Sequence, residues 1–368
     1  MKFSVFYEIP VPKPWTAESE QIAYREVLEQ VKLADRLGFH AVWSVEHHFL
    51  SEFSHCSNPE VLYGAIAAST ENIRIGYGVR LTPDPYNHPV RSAESAATLD
   101  LISGGRVYFG TGRSTTRDEL EGFGIDPHAT RGMWREALDH IVGCWTNETY
   151  SFEGEHWSMP ERAVLPKPIQ RPHPPIFGAT GSIDGHTLMG ELGIGLCSFS
   201  IGTSMENLTE RIGAYRAGLA RCTEPVGVER NDHVVAFTMV NCAPSAEDSY
   251  AVARDSYEWY AKRTVRTFVD FAGWLEERSG ELGTYEYTAP IRAAGLSGRA
   301  EDALTFERMM ANNSVIAGDP AEVIERARRY EQAGVDQLLC LLNPYKIPHD
   351  KVMETIELLG REVIPAFG

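Results

Sequence analysis

The sequence predicts an α/β protein of the TIM (β/α)8 barrel class with rim insertions, and three observations carry that prediction. Short apolar segments suited to strands recur eight times along the chain. Amphipathic helical patterns separate all of them, with no sustained antiparallel run. The segments also lack polar alternation, as strands buried on both faces do. A doubly wound parallel sheet is the competing architecture on pattern alone. The 368 residues, 43% hydrophobic, can bury a sizeable core. The strand count favours one domain over residues 1–368 rather than two modest ones.

The repeating unit is legible at the first helix. Tyr24, Val27, Leu28, Val31 and Ala34 recur at three- and four-residue steps, with Glu18 and Glu20 near the start. Gly38 stops the helix, and Phe39-His40-Ala41-Val42-Trp43 follows as a strand. The same order returns at Leu192-Gly193-Ile194-Gly195-Leu196 and at Ala333-Gly334-Val335. Strands are predicted near 2–8, 39–45, 72–81, 105–112, 174–179, 194–199, 233–242 and 336–342. Two connections exceed ordinary loop length. The first, about 114–173, holds a hairpin signal at Phe152–Trp157 and runs into a proline-rich return. The second, about 275–318, is a lid candidate.

Composition narrows the function classes. The chain carries 34 Lys+Arg against 51 Asp+Glu, a net charge of −17, which argues against a nucleic-acid binder. No run of 18 apolar residues exists for a membrane span, and Glu8 and Pro10 interrupt the N-terminal apolar stretch as no signal peptide would. Six scattered cysteines without a C-x-x-C pair read as reduced thiols in a cytoplasmic protein. H-E-x-x-H, G-x-S-x-G and the P-loop motif are absent, and no metal site is expected.

In a barrel the chemistry lies at the C-terminal ends of the strands. Glu46-His47-His48-Phe49 follows the second strand there. His47 fits a general base or proton relay working near neutral pH. The trio could instead hold a metal, or Glu46 could be buried against an arginine such as Arg91 to brace the rim. Gly112-Arg113-Ser114 follows the fourth strand, and Gly178–Gly185 follows the fifth, before a helix over Thr187–Leu192. Such a glycine-rich helix entry with a nearby arginine suits a phosphate, although the glycines could simply shape the loop.

Six segments in order make the chain resemble the bacterial luciferase-like flavin monooxygenases over nearly its whole length. They are Val42–Phe49, Ile73-Arg74-Ile75-Gly76, His88–Glu94, Leu99–Arg106, Gly110-Thr111-Gly112-Arg113 and Leu165–Ile176. The resemblance implies reduced FMN at the barrel mouth, O2 as co-substrate, a small, largely apolar organic substrate and a separate flavin reductase. It also implies a homodimer. By the same resemblance His47 is the catalytic histidine, with Glu46 beside it at the cofactor. Arg113 takes the flavin phosphate with the loop Gly181, Ser182 and Ile183, and Gly78-Val79 carries a non-prolyl cis peptide beside the ring. Luciferase has a reactive cysteine where this chain has Gly112, so light emission is not implied. A related branch uses a deazaflavin for hydride transfer and commonly has Asp-His where this chain has Glu46-His47, which favours FMN. The alternatives are a deazaflavin-dependent oxidoreductase and a non-catalytic flavin-binding relative.

Activated oxygen must be shielded from water, and a long loop is a natural cover. The stripe Tyr257, Tyr260, Thr264, Phe268, Phe271 and Leu275 has helical spacing and leads into the second insertion. It reads either as a helix packed on the barrel or as part of the site. Trp259, Tyr260 and Trp274 are the candidate substrate-pocket and lid residues.

Overall fold

Residues 1–297 and 303–368 are described by the structure, a computed structural model. The segment about 275–318 therefore includes five residues, 298–302, that lie outside the described residues. Twelve strands are present among the described residues. In chain order they are β1 (Lys2–Tyr7), β2 (Ala41–Ser44), β3 (Arg74–Tyr77), β4 (Arg80–Leu81), β5 (Val107–Gly112) and β6 (Tyr150–Glu153). There follow β7 (Ser158–Arg162), β8 (Ile176–Thr180), β9 (Gly195–Phe199), β10 (Val234–Cys242), β11 (Ile316–Gly318) and β12 (Gln337–Leu341).

Parallel pairing runs β1–β2–β3–β5–β8–β9–β10–β12 and returns from β12 to β1, closing an eight-stranded barrel. All eight predicted strands take part. The predicted strand at 72–81 is interrupted: β3 stops at Tyr77, the Gly78-Val79 peptide is cis, and β4 resumes beside β5. The short strand β11 extends the sheet at β10 and was not predicted. β6 and β7 form the expected hairpin, whose turn amides at Glu155, His156 and Trp157 all donate to the Glu136 carboxylate.

Aromatic side chains fill the barrel interior at one level. Phe6, Trp43, Gly76 and Tyr108 are register partners on adjacent strands. Trp43 is fully buried, stacks on Tyr108 at 5.8 Å and meets the Phe177 ring edge-on at 5.4 Å. The indole fits only because β3 offers no side chain there: a Cβ on Gly76 would stand 2.1 Å from Trp43 Cδ2. Gly76→Ala is expected to destabilise the fold by about 1–3 kcal/mol through overpacking, read as a lower urea midpoint. An unchanged midpoint would show that the indole has room to move.

Several segments that carry the family resemblance prove to be staples at the N-terminal face. Gly104 and Gly105 adopt left-handed φ values of 69° and 85°, turning the chain so that Arg106 enters β5. Its guanidinium donates to the carbonyls of Ser103, Ile73, Ala67 and Thr70 and to Thr70 Oγ1. Asp100 accepts from both the backbone and side-chain amides of Gln170, fastening the proline-rich return beneath the barrel. These buried groups have complete hydrogen-bond sets, and that need alone accounts for their residue types.

Candidate active site

Glu119 organises the site. It sits on α4 (Arg117–Phe123), in the first insertion, and is fully buried. Thr116 caps that helix by accepting from Glu119 N, a capping-box spacing. The Glu119 carboxylate then reaches across the rim. Oε2 accepts from Ser114 Oγ at 2.5 Å and Thr116 Oγ1 at 2.6 Å. Oε1 accepts from His48 N at 3.0 Å and lies 2.8 Å from His47 Nδ1. Burial alone would neutralise this carboxyl, but the His47 charge and these hydrogen bonds outweigh it and hold it below the ordinary carboxylate range.

His47 presents its other ring nitrogen to a cavity of about 240 Å³ at the C-terminal mouth of the barrel. Nε2 lies 3.8 Å from Glu8 Oε2, and the side chain is 25% exposed. Burial opposes a charged imidazole, yet the carboxylates of Glu119, Glu8 and Glu46 raise its pKa to about 9. The ring is therefore protonated at neutral pH and offers an N–H to the cavity. Glu8, at the end of β1, is only 3% exposed and receives the Tyr260 hydroxyl on Oε1 at 2.8 Å. Burial pushes the Glu8 carboxyl above its usual range despite the opposing pull of His47 and Tyr260.

The walls are mostly apolar and aromatic, with Phe6, Phe53, Phe199, Phe237 and Phe268 prominent. Gly78 and Val79, joined by the cis peptide, form part of the wall, as do Ala179 and Thr180 at the end of β8. Cys197 also faces in, but burial drives its thiol far above the usual range, so it is no reactive thiolate.

Other predicted residues are placed differently. Glu46 is outside the cavity wall; its carboxylate accepts from Leu81 N at 3.0 Å and Asn87 Nδ2 at 2.8 Å. Its arginine neighbour is Arg80 at 3.9 Å, not Arg91, which is exposed and pairs with Glu94. His48 turns away from His47 into the rim, stacking on Tyr86, so Glu46, His47 and His48 do not converge on a point. Arg113 is not in the wall either. It donates to Thr284 Oγ1 at 2.5 Å and to Thr284 O at 3.0 Å, and covers the Tyr285 ring at 4.1 Å. Ser182 caps α6 (Ile183–Glu191), which begins four residues before the predicted start. Gly181 and Ile183 flank that cap, next to the wall residue Thr180.

Of the three aromatic candidates only Tyr260 lines the cavity. Its helix, α8 (Ala246–Ser279), divides the predicted stripe: Tyr260, Thr264 and Phe268 face the cavity, while Tyr257 hydrogen-bonds Ile316 O in the core. Phe271, Trp274 and Leu275 pack instead in a second apolar cluster with Leu120 and Tyr285. Trp259 stacks on Tyr345 at 3.6 Å, outside the wall. Sequence reasoning missed Glu8 and Glu119. The spacing Thr116-x-x-Glu119 announces a helix start, but nothing local shows that this carboxylate meets a histidine 72 residues away.

A closed parallel barrel with an aromatic chamber at its C-terminal mouth, edged by a histidine bonded to a buried carboxylate, defines a TIM-barrel enzyme site. The chain belongs to the luciferase-like monooxygenase family, whose sequence profile matches residues 1–337. It is 27% identical, over all of its length and 96% of the relative's, to the oxygenase component of the flavin-dependent trigonelline monooxygenase of Acinetobacter baylyi. It is 28% identical, over 97% of each chain, to an F420-dependent glucose-6-phosphate dehydrogenase of Microbacterium testaceum. Among solved structures, the oxygenating constituent of 3,6-diketocamphane monooxygenase from Pseudomonas putida, in complex with FMN, superposes with a TM-score of 0.73. That likeness has 21% identity and covers 99% and 98% of the two chains. No helix among the described residues is long and apolar enough to cross a membrane.

Proposed function

We propose that this chain is the oxygenase component of a two-component monooxygenase. It uses reduced FMN from a separate flavin reductase, together with O2, to oxygenate a small, largely apolar organic substrate. The observation that carries the reading is the mouth chamber, in which His47 and the cis Gly78-Val79 peptide face the same apolar space. The full-length likeness to an oxygenase component supports it.

The residues present fit a flavin ring. A planar heteroaromatic system needs a flat wall, and Gly78 supplies one where a Cβ would come within 2.9 Å of the Phe6 ring. The phosphate end would lie at Gly181, Ser182 and Ile183, where the N-terminus of α6 favours an anion. Arg113 would join it by exchanging Thr284 for the phosphate. When bound, the reduced flavin supplies the electrons that activate O2.

His47 holds a proton on Nε2 at the cavity surface, and Glu119 orients the ring through Nδ1. That arrangement can deliver a proton to an oxygen of the reacting group and recover one afterwards. Glu46 holds the backbone of β4 at Leu81 and so supports the wall beyond Val79. Phe53, Phe237 and Phe268 exclude water. In this reading residues 1–368 act as one unit, a cytoplasmic homodimer; light scattering should then return twice the 41.0 kDa of one chain.

The F420-dependent relative makes hydride transfer to or from a deazaflavin the second reading. Anaerobic titration separates the two: reduced FMN should quench tryptophan fluorescence at lower concentration than reduced F420, and the reverse order would install the deazaflavin. Arg113→Ala should weaken FMN more than riboflavin, by about tenfold for one charge-assisted contact, measured by the same titration. Equal losses for the two ligands would remove Arg113 from the phosphate site.

A further inference from the structure

The cavity wall is unbalanced in charge. It contains no lysine or arginine among the described residues. Two buried carboxyls, Glu8 and Glu119, face one imidazole, His47. Glu119 lies 2.8 Å from His47 Nδ1 and receives three further hydrogen bonds, so its needs are met within the protein. Glu8 is not so provided for. Tyr260 occupies Oε1, while Oε2 has no hydrogen-bond partner, and its nearest charged neighbour, His47 Nε2, stands 3.8 Å away. Burial raises the Glu8 carboxyl, and a cation placed at Oε2 would restore its charge. With both carboxyls then ionised the site is one positive charge short.

A buried, unpartnered carboxylate oxygen in an apolar wall is expensive unless a ligand completes it. The surroundings show which ligand that is. Phe53 stacks against Tyr260 at 5.0 Å, and Phe237 packs on Phe6 at 4.5 Å and on Phe199 at 5.5 Å. These rings line the chamber that holds Glu8. Aromatic faces carry partial negative charge and attract cations, most strongly where water is excluded. An anion would meet neither a lysine nor an arginine here, and a neutral apolar molecule would leave Oε2 unsatisfied.

We propose that Glu8 is a specificity-determining residue, and that the substrate it selects carries a protonated amine on an apolar body, with the ammonium donating to Glu8 Oε2. This deepens the proposed function, since it takes the chamber beside His47 as the substrate's place. Nothing in it requires a particular flavin.

Equilibrium binding to the full chain, by calorimetry at neutral pH with and without saturating oxidised FMN, tests the proposal. The probes are benzylamine, benzyl alcohol and benzoate, which share a ring and differ in head-group charge. Benzylamine should bind at least about tenfold more tightly than benzyl alcohol, the factor expected of a charge-assisted hydrogen bond, with benzoate weakest. Glu8→Gln, nearly isosteric, should abolish that preference while leaving benzyl alcohol within about twofold. Tyr260→Phe should keep it, because Oε2 is untouched. Equal binding of benzylamine and benzyl alcohol, no measurable benzylamine binding, or a preference surviving in Glu8→Gln would each overturn the proposal. The wild-type ranking decides the matter even if Glu8→Gln does not fold. Failure of FMN to bind would count against the monooxygenase reading alone.

Discussion

Oxygenation by the His47→Ala variant should fall by about two to four orders of magnitude, the range over which a positioned acid–base group acts. Flavin binding should survive largely intact. The argument is geometric. Among the described residues only His47 presents a protonated ring nitrogen to the chamber, and its charge is held there by Glu119 at 2.8 Å on the far side of the ring. Removing the imidazole leaves the Glu119 carboxylate with Ser114, Thr116 and the His48 amide, so the rim remains bonded. The loss of activity therefore belongs in kcat rather than in flavin affinity, while the Glu119 carboxylate, left without its counter-charge, makes the fold less stable. Turnover and flavin titration of the same preparation check this. Unchanged turnover would remove His47 from the reaction.

Glu119 should show the largest effect on stability. Glu119→Ala strips a buried acceptor from two hydroxyls, one amide and a charged imidazole, and about 3–5 kcal/mol of loss in urea unfolding is expected from breaking such a pair. Glu119→Gln, which preserves the shape, isolates the electrostatic part. In it the His47 ring should titrate well below its present value of about 9, as read by imidazole NMR. Because the folded pKa lies above the unfolded value near 6.5, the imidazolium's contribution to stability is complete below about 6.5. It is lost as the pH climbs through about 9. The Glu119 carboxylate works in the opposite sense: its contribution is present above its unfolded value and fades as the pH falls through its depressed folded one. The wild type should thus lose stability on the alkaline side, and Glu119→Gln should lose less there. Identical alkaline profiles would show that the pair is not coupled.

The two residues differ instructively in how visible they were. His47 stands in a run, Glu46-His47-His48-Phe49, placed at a strand end by the apolar pattern before it. Glu119 stands in a polar helix of an insertion, where Thr116-x-x-Glu119 reads as a helix cap and is one. Its second duty, toward His47, arises because the insertion folds back over the mouth. Glu8 was read only as a charge that spoils a signal peptide, yet it closes β1 and ends inside the chamber. Arg113 illustrates the converse. Its place after β5 was legible, but the direction of its side chain, toward Thr284 and Tyr285, depends on a segment 171 residues away.

Eight strands and the helices between them follow from local pattern. The closing of the barrel, which that pattern left in competition with a doubly wound sheet, is decided by the pairing of β12 with β1. Strand and helix periodicity are properties of neighbours in the chain, and buried parallel strands advertise themselves as unbroken apolar runs. The staples at Arg106, Asp100 and Gln170 are also legible, as motifs, because each serves backbone groups at fixed positions near the strand ends. Tertiary structure alone decided which side chains face the chamber. It sent His47 inward and His48 outward, split the α8 stripe between chamber and second cluster, and left Trp259 and Trp274 outside. The reason is physical. A pocket is made where distant segments meet, and whether a carboxylate there is bare or satisfied depends on partners that sequence spacing does not encode.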